Sequence, residues 1–103
     1  MPNSSPIAKR LKEARTEAGF SQKSLGIAAG IDEFSASARI NQYERGKHTP
    51  DYETVEKLAR VLSFPVPYFY ATDDEMAEMI VEFGKLSSKK RREVIALLRK
   101  CDA

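Results

Sequence analysis

Residues 19–46 read GFSQKSLGIAAGIDEFSASARINQYERG, and this stretch decides the fold. Glycines at positions 19, 30 and 46 can each end a helix, because glycine adopts the left-handed backbone conformation without steric cost. Ser21 is a typical N-cap and predicts a short helix over about Gln22–Ala29. A further helix ends at Arg45, just before the last of these glycines. The stretch therefore indicates two short helices separated by a turn at Gly30.

The sequence before and after this stretch also has the pattern of helices. Upstream, Ser5-Pro6 predicts a helix start and Gly19 its end, which gives a helix over about Pro6–Ala18. Downstream, Asp51 can cap a helix that the prolines of Phe64-Pro65-Val66-Pro67 interrupt, and a helical turn over the next aromatic residues follows. The apolar stripes of the two helices are Ile7, Leu11, Ala14 and Ala18 in the first, and Val55, Leu58, Ala59 and Leu62 in the second.

The last thirty residues predict two more helices and no strand. Asp73 or Asp74 opens the first, which ends at Gly84, and Ser87 starts the second. Their apolar stripes are Met76, Met79, Ile80 and Phe83, and then Val94, Leu97, Leu98 and Cys101. The sequence therefore predicts an all-α fold, with a five-element head over residues 1–72 and a C-terminal two-helix hairpin over residues 73–103.

Composition is that of one small globular domain. The chain has 103 residues, of which 42% are hydrophobic and 31% charged, and its net charge is only +2. This net charge is too small to indicate a nucleic-acid partner by itself, so any such partner must be recognised by locally placed residues. Cys101 is the single cysteine, which excludes an intrachain disulfide and fits a reducing cytosol. The sequence shows no signal peptide and no apolar run long enough for a membrane span, so we expect a cytoplasmic protein.

The sequence lacks the residue patterns of an enzyme or a metal site. His48 is the single histidine and has no second ligand near it in the sequence. There is no glycine-rich phosphate loop, no Cys/His cluster, and no nucleophile paired with a base at a suggestive spacing. We therefore expect no catalytic activity, no metal, no cofactor and no small-molecule ligand.

A longer motif gives the pattern its family resemblance. The sequence resembles the Xre or Cro/repressor family of helix-turn-helix transcriptional regulators over about Ile7 to Leu62. The residues that carry the resemblance are Arg10-Leu11-Lys12, Arg15, Gly19-Phe20-Ser21-Gln22, Leu25, Gly30-Ile31, Ile40, Tyr43-Glu44-Arg45-Gly46, Pro50, Val55, Leu58, Ala59 and Leu62. The resemblance implies a compact five-helix, lambda-repressor-like DNA-binding head. It also implies that Gln22 contacts a phosphate and that Arg15 and Glu44 form an interior ion pair.

A helical wheel sorts the residues of the helix that ends at Arg45. Its apolar side, Ala36, Ile40 and Tyr43, predicts a face that packs on the core. The base-reading candidates lie on the other side, and the family resemblance independently implies three of them (Ser37, Ala38 and Gln42); the full set is Ser37, Ala38, Asn41 and Gln42. Asparagine and glutamine can bond adenine at N6 and N7, and alanine can contact a thymine methyl. The phosphate candidates beside them are Arg39, Arg45 and Lys47.

The sequence departs from the family pattern between Gly30 and Ile40, where it carries about four additional residues. We favour an extended helix, over about Glu33–Arg45 with Asp32 as its cap, because four residues are close to one helical turn. The alternative is a longer turn before a helix that starts near Ala36. Phe34 would lie on the reading face of an extended helix, although a large apolar ring more often packs against its neighbours.

The C-terminal hairpin is open to two interpretations. Its apolar stripes can seal the bottom of the head or pair with a second copy across a two-fold axis, and we favour the homodimer. The run Lys89-Lys90-Arg91-Arg92 is interpreted as a solvated face, with contact to flanking DNA as the alternative. The sequence thus predicts a dimeric regulator of double-stranded DNA that acts as a repressor by occlusion, with activation by contact with the polymerase as the alternative. The alternative is a protein-interaction module (an adaptor or antitoxin-like protein) on the same fold.

Overall fold

The computed structural model describes residues 5–101 and is all-helical over that range. The predicted fold class is therefore confirmed. Six α-helices and one 3-10 segment follow one another without a strand among the described residues: α1 (Ile7–Ala18), α2 (Gln22–Ala28), α3 (Ala36–Glu44), α4 (Tyr52–Leu62), the 3-10 segment (Val66–Tyr70), α5 (Asp74–Gly84) and α6 (Ser88–Arg99).

Side-chain caps set the starts of four of these helices. Ser21 and Ser24 form a reciprocal capping box at the start of α2, in which each side-chain oxygen accepts from the other's backbone amide at 2.9 Å. Each of the other three accepts the amide of the third helical residue, which is the usual N-cap geometry, and they are Asp51 for α4, Asp73 for α5 and Ser87 for α6. Gly19 ends α1 with a φ of +81°, as the pattern predicts.

The core lies among α1, α2, α3, α4 and the 3-10 segment. Its largest fully buried side chains are Phe69, Leu11, Leu25, Ile40, Leu58 and Val55. Tyr68 and Phe69 close the bottom of the head, where their rings meet edge-on with centroids 5.2 Å apart. Tyr70, the third aromatic residue of this segment, is exposed. This core holds α3 by its inner side, which is what positions the candidate site.

The prediction of an extended α3 is wrong. Residues 33–35 form a turn, and the helix starts at Ala36. The Asp32 carboxylate accepts the Phe34 amide at 3.0 Å, and the Ser35 amide donates to the Asp32 carbonyl at 2.9 Å. Residues 32–35 are all exposed, so an additional helical turn would bury no apolar face to stabilise it. An aspartate that bonds the backbone two residues on favours the turn instead.

Arg10 ties α5 to the head, a role that the apolar stripe of α1 does not indicate. The residue is not part of that stripe, but it is only 2% exposed. Its guanidinium donates to the Ala71 carbonyl at 3.0 Å, to Asp74 at 2.9 Å and to Glu13 at 3.1 Å. The Tyr68 hydroxyl donates to the same Glu13 carboxylate. Burial is the larger cause of the raised pKa of Tyr68, and this hydrogen bond is the second. Because every polar group here has a partner, the charge is tolerated in the core.

Helices α5 and α6 differ in how much of their apolar surface the head covers. Helix α5 packs on the 3-10 segment and buries Ala77, whereas α6 buries no side chain. Leu97 and Leu98 of α6 are 64% and 49% exposed. The radius of gyration is 15.4 Å, compared with about 13 Å for a compact chain of this length. Helix α6 therefore projects as an arm.

Arg91 fixes the corner between α5 and α6. Its Nε donates to the Phe83 carbonyl at 3.1 Å, and its Nη2 donates to the Gly84 carbonyl at 2.8 Å. The guanidinium also lies 5.3 Å from the centroid of the Phe83 ring. These contacts satisfy carbonyls at the end of α5, which have no partner within the helix. Of the basic run 89–92, this arginine is therefore committed to the hairpin.

Candidate nucleic-acid interface

The outer face of α3 is open to solvent. Ser37, Ala38 and Arg39 are exposed, while Asn41 and Gln42 on the next turn are half-buried. Helices α5 and α6 do not cover these side chains. The hairpin packs on the 3-10 segment through α5, and not on α3. The base-reading candidates thus share one accessible side of a single helix.

The inner face of α3 is held by the core and by an unusually close approach to α2. Ala36, Ile40 and Tyr43 are buried, as the helical wheel predicts. A Cβ built on Gly26 of α2 would lie 2.7 Å from the Ala36 Cβ and 3.0 Å from its Cα and carbonyl oxygen. Only a residue without a side chain permits this approach. Gly26 is not among the residues that the sequence motifs indicate, although a lone glycine inside a helical pattern is a signal of close packing.

An ion pair ties α1 to the end of α3. Arg15 Nε lies 2.5 Å from Glu44 Oε2, and Arg15 Nη2 donates to Glu44 Oε1 at 3.1 Å. The third donor, Nη1, reaches the Phe20 carbonyl at 2.9 Å. Side-chain exposure is 15% for the arginine and 4% for the glutamate, so water screens the pair weakly. The hydrogen bond with Glu44 is the main cause of the raised pKa of Arg15.

Gln22, a phosphate candidate, is bonded to the same ion pair. Its side-chain Nε2 donates to Glu44 Oε1 at 3.1 Å, and the residue is half-buried. A glutamine amide carries two hydrogens, so one donor remains for an external acceptor. This contact, which no sequence pattern indicates, joins α1, α2 and α3 through one carboxylate.

A polar cleft borders the outer face where α3 meets the connector to α4. Its volume is about 350 Å³, and it is lined by Arg39, Gln42, Tyr43, His48 and Thr49. The Gln42 carbonyl accepts from the amides of Lys47 and His48, at 3.0 and 3.4 Å, which holds the connector against the helix. The three cationic candidates, Arg39, Arg45 and Lys47, are exposed and form no ion pair with another of residues 5–101.

Two other kinds of site are absent from the part of the chain that the structure describes. No three His, Cys, Asp or Glu side chains come together so that they could hold a metal ion. None of the described helices combines the length and the apolar character that a membrane span requires.

Comparisons with known proteins agree with this geometry. The helix-turn-helix family matches residues 11–69. The HTH-type transcriptional regulator ImmR of Bacillus subtilis (strain 168) is 32% identical over 68 residues, which are 66% of this chain. The chain spans half the length of that relative. The crystal structure of transcriptional regulator BswR superimposes with a TM-score of 0.85 and 47% identity, covering 91% of this chain and 93% of the other.

The matched segment contains α2, α3 and the turn between them, together with the core residues that hold α3. The resemblance that the sequence motifs indicate is therefore confirmed. Residues 33–35, where the sequence departs from the family pattern, form an exposed turn before α3. On the family match and on the fold, this chain belongs to the helix-turn-helix family.

Proposed function

We propose that the chain is a sequence-specific regulator of transcription that binds double-stranded DNA and reads the major groove with the outer face of α3. One observation carries the proposal: this face is uncovered and bears small and amide side chains, while its inner face is fixed by the core and by the Arg15–Glu44 pair. A helix held rigidly on one side can insert its other side into a groove about 12 Å wide.

Base contacts are assigned to four side chains of that face. Small residues let the helix approach the base edges, and amides supply a donor and an acceptor to adenine. Gln42 has the additional advantage that its backbone is held by the connector, so its position is defined before binding. The base-reading residues of the proposal are Ser37, Ala38, Asn41 and Gln42.

Phosphate contacts are assigned to the polar and cationic side chains around the reading face. Arg39, Arg45 and Lys47 are exposed and free of ion pairs among the described residues, so binding a phosphate would not require breaking a protein contact. Gln22 contacts a phosphate of the DNA backbone from α2, with the side-chain amide hydrogen that is not bonded to Glu44. Such contacts position the protein and supply affinity without reading sequence.

The regulator is proposed to act as a homodimer through the hairpin. One reading helix covers only a few base pairs, so useful specificity requires two half-sites about one turn of DNA apart. The hairpin offers exposed apolar residues for a second copy, namely Met76, Met79, Ile95, Leu97 and Leu98. Binding of the dimer at a promoter would repress by occlusion, in the cytoplasm and with no cofactor.

Binding to duplex DNA is expected to depend steeply on salt. Each neutralised phosphate releases counterions, so six cationic contacts in a dimer predict a slope of roughly −5 in log K against log salt concentration. The measurement is fluorescence anisotropy with a random duplex and with a duplex selected from a random pool. Gln42→Ala should weaken binding to the selected duplex by about tenfold or more and leave the random one unchanged. Lys47→Ala should weaken both and reduce the slope.

The same titration separates the alternative function. An adaptor or antitoxin-like module on this fold would select no sequence and give a flat, very weak response to salt. The exposed acidic pair Asp32 and Glu33 is the feature that favours it, because carboxylates repel phosphates. Equal losses for Gln42→Ala on both duplexes would reject base reading by that residue.

Replacing Leu97 by aspartate is expected to weaken self-association by roughly 100-fold or more, because a homodimer loses two leucines and burial of each contributes about 1.5–3 kcal/mol. Ala96→Asp is the matched control, since Ala96 is exposed and lies on the other side of α6. Sedimentation equilibrium over micromolar concentrations measures both. A wild-type chain that remains monomeric throughout, or equal effects of the two substitutions, would reject a dimer through this stripe.

A further inference from the structure

Phe34 presents a bare aromatic ring to solvent. The residue is 94% exposed, more than any other large apolar residue among residues 5–101, so the expectation that it packs against its neighbours is wrong. A ring so placed contributes nothing to the core, and solvating it is unfavourable. The stability of the fold therefore does not explain why a phenylalanine stands at this position.

The backbone that carries the ring is well ordered by hydrogen bonds. The Ile31 amide donates to the Gly26 carbonyl at 2.9 Å, which joins the start of the turn to α2. Asp32 then accepts the Phe34 amide through its side chain, and the Arg39 amide donates to the Ser35 carbonyl at 2.9 Å. Both ends of the turn are thus joined to the two helices of the motif. A backbone held in this way loses little conformational freedom on binding, so only the side chain of Phe34 remains to be ordered.

The turn leads directly into the amino end of α3. In a helix-turn-helix the amino-terminal residues of the second helix are those that approach base edges. Ser35, Ser37 and Ala38 follow Phe34 in the sequence and are small and exposed. They therefore leave room for the ring to approach the base edges. The carboxylates of Asp32 and Glu33 would repel phosphates, which disfavours a position of this turn along the DNA backbone. These features together favour the groove, between the two strands.

We propose that Phe34 reads sequence by packing its ring against the C5-methyl group of a thymine in each half-site. That methyl is the one apolar group that bases present in the major groove, and phenylalanine is among the side chains suited to it. The inference rests on the proposed function, because it needs α3 in the groove. It adds a specificity-determining residue that lies outside α3, in the inserted turn.

The test compares selected DNA sequences and single methyl groups. Wild-type protein and Phe34→Ala are each used to select fragments from a random duplex pool, and the wild type should enrich a thymine that the variant does not. Replacing that thymine by deoxyuridine, which lacks only the methyl, should weaken wild-type binding about fourfold, the value of one buried methylene-sized group. The same replacement should not affect Phe34→Ala, and Phe34→Leu should retain part of the effect. Thermal unfolding of Phe34→Ala should match the wild type, because the ring is exposed.

Three outcomes would overturn the inference, and they are distinguishable. If no sequence is selected and binding does not depend on salt, the proposed function fails and the inference with it. If a sequence is selected but Phe34→Ala enriches the same thymine, only the inference fails. If deoxyuridine weakens both proteins equally, the methyl is read by another residue, and Phe34 has no part in it.

Discussion

Glu44→Ala is expected to destabilise the protein by about 3–5 kcal/mol, because it leaves the Arg15 guanidinium charged and largely buried without its partner. The carboxylate also accepts the amide of Gln22, so the same substitution releases α2. An arginine guanidinium keeps its proton throughout the ordinary pH range even without a partner, so loss of the proton offers no escape near neutral pH. Urea unfolding followed by circular dichroism measures the change.

A surface pair on the same chain supplies the control. Lys85 and Glu82 form an ion pair at 3.4 Å, with side chains 67% and 65% exposed. Because water and salt screen such a pair, Lys85→Ala should change the unfolding free energy by about 0.5 kcal/mol or less. The double variant Arg15→Leu with Glu44→Leu should recover part of the loss, since no charge is then stranded. A cost for Glu44→Ala equal to that of Lys85→Ala would show that the interior pair contributes nothing.

The features that could be predicted from the sequence are those that depend on local chemistry or on helix geometry. Helix ends followed from local chemistry, because caps such as Ser21 and Asp51 act on amides within three residues of themselves. The buried side of α3 followed from its period, which depends only on helix geometry. Both kinds of inference need no knowledge of which helix packs where, and the structure agrees with them.

The predictions that failed depended on tertiary contacts. Helix propensity allows residues 32–35 to be helical, but nothing packs on an additional turn there, so the Asp32 side chain decides. The apolar stripe of α1 omits Arg10, because its partners Ala71 and Asp74 come from much later in the chain. No local pattern indicates the contact of Gln22 with Glu44, because it joins residues 22 positions apart, and the assignment of Gln22 to a phosphate stays a prediction. The assignment of bases and phosphates to individual side chains stays a prediction.

Substitution of Gly26 is also expected to destabilise the protein strongly. Helix propensity alone favours alanine over glycine there by about 1 kcal/mol. The geometry opposes this, because a Cβ would lie 2.7 Å from the Ala36 Cβ and 3.0 Å from two backbone atoms of α3. We expect Gly26→Val to destabilise by about 3 kcal/mol, the upper range for overpacking, and Gly26→Ala by less. Because the strain is relieved by moving α3, binding to a selected duplex should weaken further than stability alone explains.

Removing the opposing methyl tests this explanation directly. In a double-mutant cycle of Gly26→Ala with Ala36→Gly, the closest contact disappears, whereas the two contacts at 3.0 Å with the Ala36 backbone remain. The double variant should therefore be more stable than the sum of the single effects predicts, by about 0.5 kcal/mol or more, without full recovery. Additive effects, or a Gly26→Ala protein more stable than the wild type, would mean that α2 and α3 are not in this close contact. Helix α3 would then owe its orientation to the core side chains and the Arg15–Glu44 pair alone, and the same Gly26→Ala protein would bind the selected duplex with unchanged affinity.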